Sequence, residues 1–249
     1  MAWDFLYTAD AVALSDFSER TYIVTEGMAA REGINFSVPG LHGEVSYPFK
    51  MFEGANVVMG TFLRYTNPAG AITHADGAPG HIYENRAKMM EIFGKMTGLV
   101  TLQRTTTHQG ANILEVELLG GVEAGDPMWN YLWVLRAPKP FWRATTTTTH
   151  ASGTGSLARG GNAPVDDAIA TFTGDGTVTV DSNGEKVGVA GSGGATVVVD
   201  CGKRTIKQGA TNRDEWLVIN SERWLPLDVT PVPITVVGTV SIAWFRKWH

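Results

Sequence analysis

Cysteine is nearly missing from this 249-residue sequence: Cys201 stands alone, so no disulfide can form within the chain. The fold must therefore rest on packing, and Cys201 is expected to serve as a small residue in a strand or turn. Blocks of one charge are missing too. The balance is 20 Lys+Arg against 25 Asp+Glu, a net charge of −5, with neither sign gathered into a run. That excludes a protein whose main task is to grip a phosphate backbone, which needs a basic face. A wall past which nucleic acid slides is not excluded. Long apolar runs are absent as well. The most apolar stretch, VPITVVGTVSIAWF, falls short of the roughly 20 residues that span a bilayer and is β-branched throughout. The start, MAWDFLYTAD, lacks the basic segment and apolar core of a secretory leader. The expectation is a protein made in the cytoplasm that stays out of the membrane.

What is present points to strands. Hydrophobic residues make up 43% and aromatics 10%, enough for a core without external staples, and 29 glycines accompany abundant Thr and Val. Alternation predicts strands at Gly33 to Val38, Ala55 to Tyr65, Leu99 to Thr105 and Asn112 to Gly120. In the last, Ile113, Glu115 and Glu117 share one face, and Leu114, Val116 and Leu118 the other. One stretch, Gly80 to Gly98, breaks the pattern. Ile82, Met89, Phe93 and Met96 recur at helical spacing, which predicts a helix lying on a sheet, with Gly98 as its C-terminal cap.

Between Arg143 and Asp166 the periodicity disappears. Thr145 to Thr149 suit an extended segment, and ASGTGSLARGGNAP has the composition of a connector. Strand patterns then resume in DAIATFTG, GTVTVDS, ATVVVDCG, EWLVIN and PITVVGTVSIAWFRKW, separated by turn signals such as Gly174-Asp175-Gly176 and Asn183-Gly184. Two mainly β modules follow, 1–143 and 144–249. Trp142 closes the first, and the threonine run leads toward the second.

No catalytic, cofactor or metal constellation emerges. Gly153-Thr154-Gly155-Ser156-Leu157-Ala158 matches a dinucleotide pattern, but the segment that follows, through Pro164, cannot be the helix that would hold a pyrophosphate. Ala190-Gly191-Ser192-Gly193-Gly194 approaches a nucleophile elbow but lies between strand runs, so it reads as a hairpin tip. His74, Asp76 and His81 fall in one loop at a spacing that matches no zinc arrangement, and His108, His150 and His249 are scattered. Glu115 and Glu117 could in principle flank a glycosidic bond, but alternating glutamates are the ordinary pattern of a solvated strand. Eight tryptophans divide between module ends and the late second module. They suit packing or interfaces, with a carbohydrate-binding module stacking sugars on Trp216 or Trp224 as the alternative.

The order and spacing of several segments resemble the distal tail proteins of long-tailed, non-contractile bacteriophages. These are Gly40-Leu41-His42-Gly43, the helix Ile82 to Met96, Gly125-Asp126-Pro127-Met128-Trp129 and Pro140-Phe141-Trp142-Arg143. In the second module they are Val197-Val198-Val199-Asp200 with Lys203-Arg204, Trp224-Leu225-Pro226-Leu227, and Val240-Ser241-Ile242-Ala243-Trp244 through Trp248. The chain departs from many relatives at Leu227-Asp228-Val229-Thr230-Pro231, where they have a Pro-Gly turn. The resemblance implies an N-terminal, ring-forming β-sandwich with one helix and an extended hairpin, and a C-terminal galectin-like jelly roll. It also implies a non-enzymatic virion protein without cofactors, assembled in the host cytoplasm. Six copies would form a ring at the tail tip, between the tail tube and the hub or receptor-binding proteins. The tape-measure protein and DNA would occupy the central channel.

Overall fold

The structure is a computed structural model that describes residues 6–26, 31–37, 44–52, 54–107, 109–123, 130–158, 160–163, 165, 167–181, 184–218, 225, 227 and 231–248. The chain divides into two compact units, Met1–Trp142 and Arg143–His249. Several segments named above lie outside the described residues: Gly40 to Gly43, Gly125 to Trp129, Trp224, Pro226, His108 and His249.

In the first unit β1 (Leu6–Ala9), β2 (Val12–Ala13), β3 (Ser18–Glu26), β4 (Arg31–Ser37), β5 (Glu44–Phe52) and β6 (Ala55–Leu63) precede the helix α1 (Gly77–Phe93). After it come β7 (Val100–Thr106), β8 (Gly110–Glu123) and β9 (Asn130–Ala137). All pairings are antiparallel. One ladder runs β2-β1-β7-β8 and the other β3-β6-β9-β8. The long strand β8 serves both. Its start pairs with β7, from Thr106↔Gly110 to Val100↔Val116, and its end pairs with β9, from Glu117↔Arg136 to Glu123↔Tyr131. The change of partner coincides with a register shift between Leu118 and Gly120, where a bulge re-aims the strand. Alternation holds up to that point, with Leu114 and Val116 buried and Ile113, Glu115 and Glu117 partly exposed.

The core of this unit is built from the inward positions of four strands and the helix: Met59, Leu102, Val116, Trp133, Met89 and Phe93 are all buried. Phe93 meets Trp133 at 5.6 Å between ring centroids. Trp133 also satisfies its indole N–H, which donates to Thr61 Oγ1 at 2.8 Å, so a large aromatic is buried without an orphaned donor.

The helix begins three residues earlier and ends sooner than its pattern suggests. Ile82, Met89 and Phe93 point inward, as their spacing requires. Met96 does not. The helix stops at Phe93, where the Gly94 N–H donates to the Met90 carbonyl at 2.7 Å, and Met96 lies beyond that cap, fully exposed. Gly98, with φ +80°, belongs to the following turn and not to the cap. A buried polar residue completes the inward face: Asn85 Nδ2 donates to the carbonyls of Arg64 (2.9 Å) and Thr66 (3.3 Å), anchoring the helix to the chain that follows β6.

The second unit contains β10 (Trp142–His150), which starts on the last residue of the first, then β11 (Gly155–Leu157), β12 (Ile169–Val180) and β13 (Lys186–Val189). β14 (Thr196–Asp200), β15 (Thr205–Gln208), β16 (Thr211–Asn212) and β17 (Val232–Trp248) complete it. Its strands run β16-β15-β14-β12-β17-β10, with β13 on β12 and β11 on β17. Phe172, Val178, Val197, Ile206, Ile234 and Trp244 belong to one buried cluster, together with Cys201 at the turn after β14. The Asp200 side chain ties that turn together: its Oδ1 accepts the Lys203 N–H at 3.0 Å.

Three readings of the sequence are corrected here. Gly174-Asp175-Gly176 is not a turn between two strands but a bulge inside the single strand β12, with the register against β17 shifting between Thr173 and Thr177. Backbone space explains it. Gly238 on β17 has φ +87°, a Cβ there would lie 2.5 Å from the Asp175 carbonyl oxygen, and a Cβ on Gly176 would lie 2.5 Å from that of Val237. Glycines that signal a turn in sequence here let two backbones approach within a sheet. The connector after the threonines contains β11, because Gly155 to Leu157 find partners in Ile234 to Val232. Finally, Asp214–Trp216 is a short 3₁₀ turn and only Leu217 bridges to Val189, so the described part of EWLVIN is not a strand.

Candidate assembly surface

The two histidines ahead of and within α1 are structural. His81 is buried, and its Nε2 accepts the backbone N–H groups of Thr73 (2.9 Å) and His74 (3.0 Å). A nitrogen that accepts two N–H bonds carries no proton and has no lone pair left for a metal, so the ring proton sits on Nδ1, 3.6 Å from Glu84 Oε2. His74 Nδ1 likewise accepts the Asp76 N–H at 3.1 Å, and the two rings meet edge to face at 5.6 Å. Among the described residues no group of three or more His, Cys, Asp and Glu could hold a metal ion.

The other sequence candidates have equally local roles. Ser192 Oγ donates to Asp175 Oδ1 at 2.6 Å, and the same carboxylate accepts the N–H groups of Ser192 (2.8 Å) and Gly191 (3.0 Å). The side-chain bond from Ser192, followed by the two backbone donors, holds the Asp175 carboxyl below the usual carboxylate range. The serine proton is thus committed to an anion that folds the loop. Glu117 sits opposite Arg136, 3.6 Å from its guanidinium, and Glu115 opposite Thr101. Gly155-Ser156-Leu157 is a paired strand rather than a phosphate-binding loop.

Most of the described tryptophans are packed. Trp133, Trp142 and Trp244 are buried. The guanidinium of Arg104 lies over Trp142 at 4.1 Å from the ring centroid, and that of Arg213 over Trp216 at 4.7 Å. Trp216 also packs against the core of the second unit, so one of its faces is occupied by a cation where a sugar ring would have to stack.

Surfaces suited to contact with other proteins are easier to find. Strands β4 and β5 form a two-stranded sheet of their own, paired from Arg31↔Phe52 to Ser37↔Glu44. A lone hairpin is marginally stable in water and gains by packing on a neighbour. The sequence reading caught β4 but missed β5. Pro48 hid it, because proline argues against a strand interior, and here it sits where the ladder register shifts. The first unit also exposes Leu6, Ile72, Tyr83, Met90 and Leu119, which sequence patterning did not single out, and Met96, which it placed on the inward stripe. It holds all of the net charge, with ten Lys+Arg against fifteen Asp+Glu, whereas the second unit has ten of each.

No family model and no curated protein matches the sequence. Among solved structures the chain is similar to the crystal structure of the SPP1 Dit (gp 19.1) protein, described as a paradigm of the hub adsorption apparatus in phages that infect Gram-positive bacteria. That likeness has a TM-score of 0.66 at 12% identity and covers 99% of this chain and 100% of the other. The phage P2 baseplate in its activated conformation with Ca is also similar, with a TM-score of 0.44 at 9% identity over 98% of each chain. The SPP1 likeness shows a shared fold across both units, the fold that the resemblance to distal tail proteins implies.

Proposed function

We propose that this chain is a structural protein of a phage tail tip. Six copies form a ring through their first units, between the tail tube and the hub or receptor-binding proteins. The channel passes the tape-measure protein and DNA, and the galectin-like second units face other tip proteins. The observation that carries this reading is the fold likeness to the SPP1 Dit protein along the whole of both chains. A two-module architecture in the same order is hard to reach by chance with parts of this kind.

Two features of the first unit support it. The β4–β5 ribbon is a two-stranded sheet that pairs with no other described strand and so is open to a neighbouring copy. The excess of carboxylates in this unit would leave a channel wall negative, so that DNA is repelled and not retained. The described residues engage their candidate catalytic groups in local hydrogen bonds, which suits a protein that assembles and does not catalyse. Negative-stain images of the purified protein test the reading. Sixfold class averages with a central opening are expected, and particles that stay monomeric at micromolar concentration across a range of salt would overturn it.

A further inference from the structure

The segment between β6 and α1 is fastened in two different ways. Its start is held by the helix side chain Asn85, through the carbonyls of Arg64 and Thr66. Its later part, Asn67 to Asp76, contributes no buried residue, and Ile72 is 55% exposed, so apolar burial does little to hold it. What holds it is imidazole. The Thr73 and His74 N–H groups donate to His81 Nε2, the Thr73 hydroxyl lies 3.4 Å from the same nitrogen, and the Asp76 N–H donates to His74 Nδ1. Among the described residues its other hydrogen bonds stay within the segment or close on Gly77, as in the ties between Asn67 and Ala71. A Cβ on Gly80 would overlap the His74 ring, so this glycine lets the ring lie against the helix, edge to face with His81.

We propose that Asn67 to Asp76 form an acid-released strap at the head of α1, held by neutral His81 and let go when a proton adds to its Nε2. The direction follows from the bonding. Nε2 accepts two N–H groups only while its lone pair is free; once protonated it is a donor facing donors, and both bonds are lost. The held state binds one proton fewer than the released state, so the strap loosens as pH falls and tightens as it rises. The groups around the ring allow the change. On the helix Glu84 Oε2 lies 3.6 Å from His81 Nδ1; on the strap stands His74, with Asp76 Oδ2 3.7 Å from its Nδ1. The strand β6, which α1 contacts, has no ionisable side chain. Each imidazole thus has a carboxylate at hand as counter-ion, and no cation on β6 opposes the added charge. Release leaves the Asn85 bonds in place, so α1 stays on its sheet while the strap moves. The device is complete within one chain and stands apart from any ring.

Hydrogen exchange of the full-length protein tests the strap, with rates corrected for intrinsic exchange at each pH. Protection of the Thr73 and His74 amides should fall about tenfold or more between pH ~7.5 and ~5, where imidazole titrates, while amides of β6 keep theirs. His81→Gln sets an amide oxygen in place of Nε2, which accepts without titrating, and its protection should stay flat over that range. His74→Asn should leave the wild-type pH dependence in place. Wild-type protection that stays flat would overturn the proposal. So would a fall that persists in His81→Gln, or one that His74→Asn abolishes. If the glutamine variant is unprotected even at neutral pH, an NMR titration of the His81 ring in the wild-type protein decides. Its midpoint should match that of the loss of protection, and a mismatch would overturn the strap.

Discussion

His81 holds the loop ahead of α1 through a single ring nitrogen, which accepts two backbone N–H groups. Removing it leaves both donors buried near an empty space, a loss of about 1–3 kcal/mol for unsatisfied groups. His81→Ala should therefore lower the denaturant midpoint, and the amides of Thr73 and His74 should exchange faster by hydrogen-exchange mass spectrometry. Unchanged protection there would show that other contacts hold the loop. Asp10 provides a second residue-level test. It occupies left-handed backbone (φ 47°) at the β1–β2 turn, accepts the Thr101 N–H at 2.9 Å and contacts Lys95. Burial opposes its ionisation, but the bonds from Lys95 and Thr101 outweigh it and hold the carboxyl below the usual range. A carboxyl depressed in this way adds stability above its unfolded pKa, about 4, and loses it as pH falls through the folded value. Asp10→Asn keeps the backbone conformation, since asparagine tolerates positive φ. It should cost about 1 kcal/mol at neutral pH, and the difference should vanish near pH ~2. A difference that persists in acid would assign the effect to packing.

Single strands show both how far the sequence can be read and where it stops. The alternation at Ala55 to Leu63 and Asn112 to Val116 is plain because each strand has one buried face. The helix was legible from Ile82, Met89 and Phe93, but not its end, since a cap depends on backbone closure at Gly94 and not on the apolar pattern. Gly174 to Gly176 misled because a bulge and a turn use the same residues, and only the approach of β17 tells them apart. Spacing argued against a zinc arrangement at His74, Asp76 and His81 and against an elbow at Ser192, but the local hydrogen bonds of His81 and Ser192 needed coordinates. Gly238 tests the bulge directly. With φ +87° and the Asp175 carbonyl in the way, Gly238→Ala should cost about 2–3 kcal/mol, read as a shift in the urea midpoint. A neutral substitution would mean that β12 and β17 part easily. The β4–β5 ribbon makes the other element-scale prediction. Replacing residues 31–52 by a short Gly/Ser linker should leave cooperative unfolding intact while abolishing assembly, since the ribbon pairs with no other described strand. Loss of folding would mean instead that the ribbon belongs to the core of its own unit.

For the whole molecule, the proposed function gives the two β units their purpose in an assembly of copies. The separate two-stranded ribbon, the exposed residues around α1 and the concentration of negative charge in the first unit all describe surfaces rather than pockets. No helix among the described residues is long and apolar enough to cross a membrane. The most direct test is the mass of the assembled species. Native mass spectrometry of the purified 26.8 kDa chain should give a dominant six-chain complex that collapses to single chains when the ribbon is removed. A spectrum containing only single chains, at every concentration up to tens of micromolar, would contradict the account.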